Sequence, residues 1–403
     1  MITLADYRET VGDEVLYEIY RRARKLHDQH VLHINSTHQG GGVAEILNSL
    51  VPLMNDAGVD AGWRTLHGSA DFFMVTKKFH NALQGQEINF SEMKRRLYLE
   101  TNRTFASYTH LEHACLIVHD PQPLPLVTCY RLKRPWIWRC HIDLSQPEPR
   151  LWSYLRGFLL RYDLVVVSSE EYRNAELPVR QRVIQPGIDP LTAKNAALDE
   201  RTRRRFLDKF RVPLDKPLVT QVSRFDKWKD QLGVLDVWLQ VREQVDCRLV
   251  LCGSTATDDP ESLDVFESVR RRAKKHIDRG EVILLTVENG VLVNALQQAS
   301  AVIVQKSLRE GFGLTVTEAL WKSRPVVASR VGGIPLQVRD GETGLLADPG
   351  DKDGFAERIV HLLRNPEEGA ELGRRGREHV RSKFLITRVL ADYLEMLIEL
   401  LAG

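Results

Sequence analysis

Short apolar runs alternate along this chain with longer stretches in which apolar residues recur at helical spacing. In the first half, Val31–Asn35, Val59–Leu66, Cys115–His119, Trp136–His141, Leu164–Ser168 and Gln181–Ile184 read as strands. Between them, Asp13–Leu26, Val43–Met54, Asp71–Ala82, most of Phe90–Thr109 and Leu151–Arg161 read as helices. Residues 187–216 break the rhythm with charges and turn residues. The pattern restarts at Pro217, with strands at Leu218–Val222, Arg248–Leu251, Val282–Leu285, Ala301–Val304 and Pro325–Ala328. Helices are expected at Gln231–Gln244, Glu261–Arg279, Val291–Ala299, Leu314–Lys322, Lys352–Arg364, Pro366–Lys383 and Thr387–Leu401. Strands alternating with helices imply parallel sheets covered on both faces. Two such halves predict an α/β protein of two facing Rossmann-like domains with a central cleft. The expected boundaries are 1–190 for the first domain, 191–216 for a linker and 217–383 for the second domain. Residues 384–403 are expected to pack back on the first. Ligands of such sheets sit at the carboxyl ends of strands, so the loops after strands carry the candidate chemistry.

Composition narrows the classes. The 403 residues are 43% hydrophobic and 27% charged, too many for one ordinary core and too apolar for disorder. Lys and Arg number 56 against 54 Asp and Glu, and that balance argues against a general nucleic-acid binder. The basic runs Arg201–Arg205 and Arg270–Lys275 lie on expected helices and read as solvated faces. The five cysteines form no CxxC pair, so neither a structural zinc site nor a disulfide framework is expected. No apolar run approaches a bilayer span and the start is no secretory signal, so a soluble, cytoplasmic protein is expected.

Three segments carry the chemistry. The loop His38-Gln39-Gly40-Gly41-Gly42-Val43 lies between a strand and a helix, where backbone amides can approach an anion or a sugar. Neither a Walker loop nor GxGxxG is present. Ser223–Asp230 follows the first strand of the second half, and its Arg224 and Lys229 can neutralise a diphosphate. Glu310-Gly311-Phe312-Gly313-Leu314-Thr315-Val316-Thr317-Glu318 places one carboxylate in a glycine loop and another two turns into the following helix. The amides near Gly313–Thr315 are a helix N-terminus suited to phosphate, and the two glutamates suit the hydroxyls at opposite ends of one ligand.

The Glu310…Glu318 spacing, with Arg224 and Lys229 upstream, resembles the retaining nucleotide-sugar glycosyltransferases of family 4, which have the GT-B fold. Segments 31–50, 72–85, 119–126, 138–145 and 305–337 narrow the resemblance to the trehalose glycosyltransferring synthases, over nearly the whole chain. The resemblance implies glucose transfer from ADP-glucose or UDP-glucose to free glucose, giving α,α-trehalose reversibly. It implies that Glu310 binds the donor glucose, Glu318 the ribose, and Arg224 and Lys229 the diphosphate, with Gly311, Phe312, Gly313, Leu314 and Thr315 around it. Gly41, Gly42 and Val43 are placed beside the donor, His141 near the reacting carbon, and His119, Asp120 and Gln122 in the acceptor pocket. The base is placed near Thr286–Val291. No tightly bound cofactor is implied, and no ligand cluster requires a metal, although a divalent ion such as Mg is compatible with the site.

Rival readings are a retaining trehalose phosphorylase, a family 4 enzyme with another sugar acceptor, a nucleotide-sugar epimerase and a non-catalytic sensor. An epimerase has no need of the paired glutamates, and a sensor is expected to have lost Glu310 or Lys229. Nucleic-acid and membrane partners are not expected. The terminal helix, apolar nearly all round, suits either an inter-domain hinge or a homodimer contact.

Overall fold

The computed structural model describes residues 2–38, 40–131, 134–254 and 261–401. Two compact units emerge, one formed by residues 1–187 with 386–403 and the other by 188–385.

The first unit holds a six-stranded parallel sheet. Its strands are β1 (His30–Asn35), β2 (Asp60–Thr65), β3 (Cys115–His119), β4 (Trp136–Arg139), β5 (Leu164–Val167) and β6 (Arg180–Val183). Their order is β2-β1-β3-β4-β5-β6, and every pairing is parallel. The second sheet is built from β7 (Leu218–Val222), β8 (Arg248–Gly253), β9 (Val282–Thr286), β10 (Val302–Gln305), β11 (Val326–Ser329) and β12 (Leu345–Ala347). Its order is β12-β11-β10-β7-β8-β9, again all parallel. Read from β7, this is the doubly wound Rossmann order. In each sheet the winding reverses once, between β1 and β3 in the first unit and between β7 and β10 in the second. Loops diverge at such a reversal and leave room for a ligand.

The sequence explains the layers. In β8, Leu249 and Leu251 face one core with Trp238 and Phe355, while Val250 and Cys252 face the other with Leu292 and Leu296. A strand covered on both faces must be apolar at successive positions, which is why Cys115–Val118 of β3, Leu164–Val167 of β5 and Leu249–Cys252 of β8 read as continuous runs. Each fully buried Leu, Val or Phe contributes roughly 1.5–3 kcal/mol. The segment expected as a linker belongs to the second unit, and it contributes a helix, Glu200–Lys209, that buries Leu207 in the second of these cores. Phe206 packs beside it, partly buried, and the rest of the helix is polar, so its periodicity is faint.

The terminal helix Ile386–Leu401 belongs to the first unit and packs on helices Asp13–Ala23 and Gly42–Asp56. Arg180 and Arg182 of β6 bind Glu399, and Arg182 also reaches Glu395. Among the described residues no helix is long and apolar enough to cross a membrane. The five cysteines are free thiols.

Candidate active site

In the second unit the two loops at the winding reversal meet. Asp226 caps the turn Lys227–Lys229 through the Trp228 amide, and Lys229 follows at its end. The Leu308 amide donates to the Trp228 carbonyl at 2.7 Å, joining the β7 loop to the β10 loop. Lys229 Nζ then lies 2.5 Å from Glu310 Oε2. Ser307 Oγ donates to the same oxygen at 3.1 Å, and Gln305 orients Ser307 at 2.9 Å. Glu310 is only 7% exposed, so its charge depends on these partners. Beneath them, buried Lys306 pairs with Asp230 Oδ2, and Asp230 caps helix Gln231–Arg242. Gln221 Nε2 holds the Lys229 carbonyl at 2.8 Å.

Gly313 turns the chain from this loop into helix Leu314–Trp321 at φ +89°. Glu310 Cγ would stand 3.2 Å from a Cβ there, so both backbone and space favour glycine. The amides of Leu314 and Thr315 open the helix. Glu318 is its fifth residue, a little over one turn in rather than two. Its carboxylate is 1% exposed and pairs with Lys194 Nζ at 2.7 Å. The second carboxylate therefore has its own lysine. Lys322 and Trp321 bind Asn195, anchoring the segment that carries Lys194. Arg224 lies 3.8 Å from Asp226. The side chain of Phe312, expected among the ligand contacts, is instead buried against Phe384, which leaves its backbone to line the loop.

In the first unit the sites after β1, β3 and β4 lie around the other reversal. Gly41 caps helix Gly42–Asp56 at φ +88°, with Val43 in its first turn, while Gln39 lies outside the described residues. Asp120 follows β3 directly, at φ +60°; its Oδ1 accepts the His141 amide at 2.7 Å and its carbonyl accepts Trp138 Nε1 at 2.9 Å. Asn102 holds the Gln122 carbonyl at 3.1 Å. His119 departs from expectation. It is 1% exposed, and both ring nitrogens are engaged, Nε2 by His33 Nδ1 and Nδ1 by His141 Nε2, each at 3.0 Å. A ring so enclosed has no nitrogen left for an acceptor. His33, His119 and His141 thus form a stacked row from β1 across β3 to the end of β4. Among the described residues no group of His, Cys, Asp or Glu is placed to hold a metal.

Burial lowers His33 to about 3 from 6.5 and lowers His119 and His141 well below that ordinary value, with nearby Arg139 reinforcing it for the latter two. Burial also raises Asp120 from 3.8 to about 6. A depressed histidine favours folding above its unfolded value and loses that contribution as pH falls. Raised Asp120 acts oppositely, losing its contribution as pH rises through about 4–6. Three histidines outweigh one aspartate, so stability of the first unit should fall as pH drops below about 6.5, by a few kcal/mol in all. Urea unfolding followed between about pH 7 and 5 should show a falling midpoint in wild type and a shallower slope in His33→Phe.

A trehalose synthase amino-terminal domain model matches residues 33–174, and a glycosyl transferases group 1 model matches residues 202–379. A trehalose synthase from Thermococcus litoralis is 45% identical over 98% of this chain and 96% of its own length. The chain belongs to the trehalose synthase family. Members of this family have relatives among phosphorylases: a trehalose phosphorylase from Pleurotus pulmonarius is 27% identical over 94% of this chain but only 58% of its own length. Among solved structures, sucrose-phosphate synthase from Thermosynechococcus elongatus superimposes with a TM-score of 0.74 at 19% identity, covering 93% of this chain and 100% of that one. An Anabaena protein solved with UDP-glucose gives 0.72 at 18%, over 92% and 100%. These likenesses give the family its fold, two Rossmann-like units of the GT-B type, and the class of enzyme is a trehalose-related glycosyltransferase.

Lys194, His33, Ser307, Lys306 and Asp230 escaped sequence reasoning. Lys194 stands 124 residues before Glu318, and nothing local marks it. Asp230 closes the segment Ser223–Asp230 and Lys306 lies within 305–337, so both stood in segments already singled out, but nothing local marked them as partners.

Proposed function

We propose that the protein transfers glucose from a nucleoside diphosphate glucose to free glucose, forming α,α-trehalose with retention, in a reaction that also runs backward. The observation that carries this reading is the Lys229–Glu310 pair at the winding reversal, one loop away from a helix N-terminus. On this reading Lys229 and Arg224 hold the diphosphate with the Leu314 and Thr315 amides. Glu310 exchanges its lysine for donor glucose hydroxyls, and Glu318 takes the ribose. In the first unit, Gly41, Gly42 and Val43 lie beside the donor, His141 serves a sugar hydroxyl near the reacting carbon, and Asp120 and Gln122 border the acceptor.

Neither glutamate is left to act as acid and base across the bond, as a hydrolase would require. The acceptor hydroxyl attacks the anomeric carbon from the face the diphosphate leaves. Its proton passes to the departing phosphate oxygen, and the cations and helix amides stabilise the charge released there. No metal ion is needed to supply that charge. The full-length match to a synthase, against a partial match to a longer phosphorylase, supports a nucleotide donor over phosphate.

The test is product formation from glucose with ADP-, UDP- and GDP-glucose in turn. Trehalose from at least one donor is expected, and the ranking gives the base preference. Release of glucose 1-phosphate from trehalose and inorganic phosphate, without trehalose from any nucleotide sugar, would assign the protein to the phosphorylases.

A further inference from the structure

The row of histidines has a direction. Each N···N contact of 3.0 Å needs one ring to donate and the other to accept, and neutral imidazole carries a single proton. Two arrangements satisfy both contacts. If His141 Nε2–H donates inward, His119 Nε2–H must donate to His33 Nδ1, and His33 is left with a proton on Nε2. That nitrogen is buried and has no partner among the described residues. In the opposite arrangement the same nitrogen keeps only a lone pair. A buried donor without an acceptor is the rarer and costlier state.

We propose that His33 and His119 are positioning residues that fix His141 in its Nδ1–H tautomer. His33 Nδ1–H donates to His119 Nε2, and His119 Nδ1–H donates to His141 Nε2. His141 therefore keeps its proton on Nδ1 and meets its ligand as a hydrogen-bond donor. Free imidazole side chains favour the other tautomer, so the row reverses the ring's own preference. Three features hold it in place. The Asp120 carboxylate fixes the His141 backbone at 2.7 Å. The rings of His119 and His141 stack at 5.3 Å and 16°, and those of His33 and His119 at 5.3 Å and 29°. Buried Arg139, bound to Ser168 Oγ and the Ile184 carbonyl, supplies a fixed positive charge beside the row. That charge opposes an imidazolium and keeps the question one of tautomer rather than of protonation. The consequence for turnover rests on the reading that His141 serves the donor sugar: an Nδ1–H would then donate to a hydroxyl oxygen near the reacting carbon.

The tautomer is read without any assay. Long-range ¹⁵N–¹H correlation spectra of the full chain labelled on histidine, with His141 assigned from His141→Gln, should show a protonated Nδ1 and an unprotonated Nε2. The reverse pattern in wild type overturns the proposal. His33→Leu removes the first donor and should convert His141 to a mixture, lowering kcat about five- to tenfold while donor KM moves less than about twofold. His33→Asn, which keeps an amide donor near the lost Nδ1, should restore both tautomer and kcat. An unaltered tautomer and kcat in His33→Leu would also overturn it. Full activity in His141→Ala would instead remove the sugar-contact reading, while the wild-type spectrum would still decide the tautomer.

Discussion

Lys229→Ala should lower kcat/KM by about two to three decades and weaken competition by a nucleoside diphosphate. One charge-assisted contact to phosphate is worth roughly 1.5–3 kcal/mol, or one to two decades. The remainder comes from Glu310. Its carboxylate is 7% exposed and shares Oε2 between Lys229 and Ser307, so removing the lysine takes away its cation in a site with little water. The variant should therefore also lose stability, by up to about 3–5 kcal/mol. Adding Glu310→Gln separates the two effects. The double variant should regain most of the stability, because no buried charge remains, and stay as inactive as either single variant. Chemical denaturation beside initial rates checks this. Additive losses in both would show that the two residues act independently, against the paired arrangement.

Gly253→Ala should cost more than about 3 kcal/mol. Gly253 ends β8, where the chain leaving β7 crosses directly over it. A Cβ there would lie 1.8 Å from the Ser223 carbonyl oxygen, backbone that no rotamer change can move. The Ser223 amide is itself bonded to Cys252, and Gln231 grips both Ser223 Oγ and the Arg224 carbonyl. Relief must come from shifting the loop that carries Arg224 and Lys229, so activity should fall along with the denaturation midpoint. Gly157→Ala is the control. It sits in helix Pro149–Leu159 with open space where the methyl would go, and it should gain up to about 1 kcal/mol. A Gly253→Ala protein as stable as wild type would contradict the crossing of these two strands' exits.

The parts legible in the sequence were those whose signal is local. β3 and β7 read out residue for residue because a doubly covered parallel strand is mostly apolar, with Cys115–Val118 unbroken in β3 and Leu218, Val219 and Val222 framing β7. Helices Lys352–Arg364 and Pro366–Lys383 did so because Asp351 caps the first and Pro366 opens the second. β12 escaped, being three residues long at a sheet edge, whereas the helix expected under Arg201–Arg205 is present as Glu200–Lys209. In the site, the loops were readable but their partners were not. The Lys229–Glu310 contact joins residues 81 apart and the Lys306–Asp230 contact residues 76 apart, and only the sheet order makes them neighbours. His119 was visible as part of a motif, yet its surroundings decide what it does. Its neighbour His33 lies 86 residues upstream on another strand.

The terminal helix bears on the order of events during synthesis. Along the sequence the second unit is inserted between two parts of the first, and its own ends are side by side, with the Ile188 amide donating to the Phe384 carbonyl at 2.8 Å. All of its residues have been made once Leu385 is added. The first unit, although begun earlier, still lacks Val389, Leu390, Tyr393, Leu394 and Leu397, which are buried in the finished structure. On a ribosome the later unit can thus complete its core first, while the earlier one keeps an apolar groove uncovered over helices Asp13–Ala23 and Gly42–Asp56. The chain's most aggregation-prone interval is then the time spent making residues 188–385, with chaperone engagement falling on the unit that was translated first.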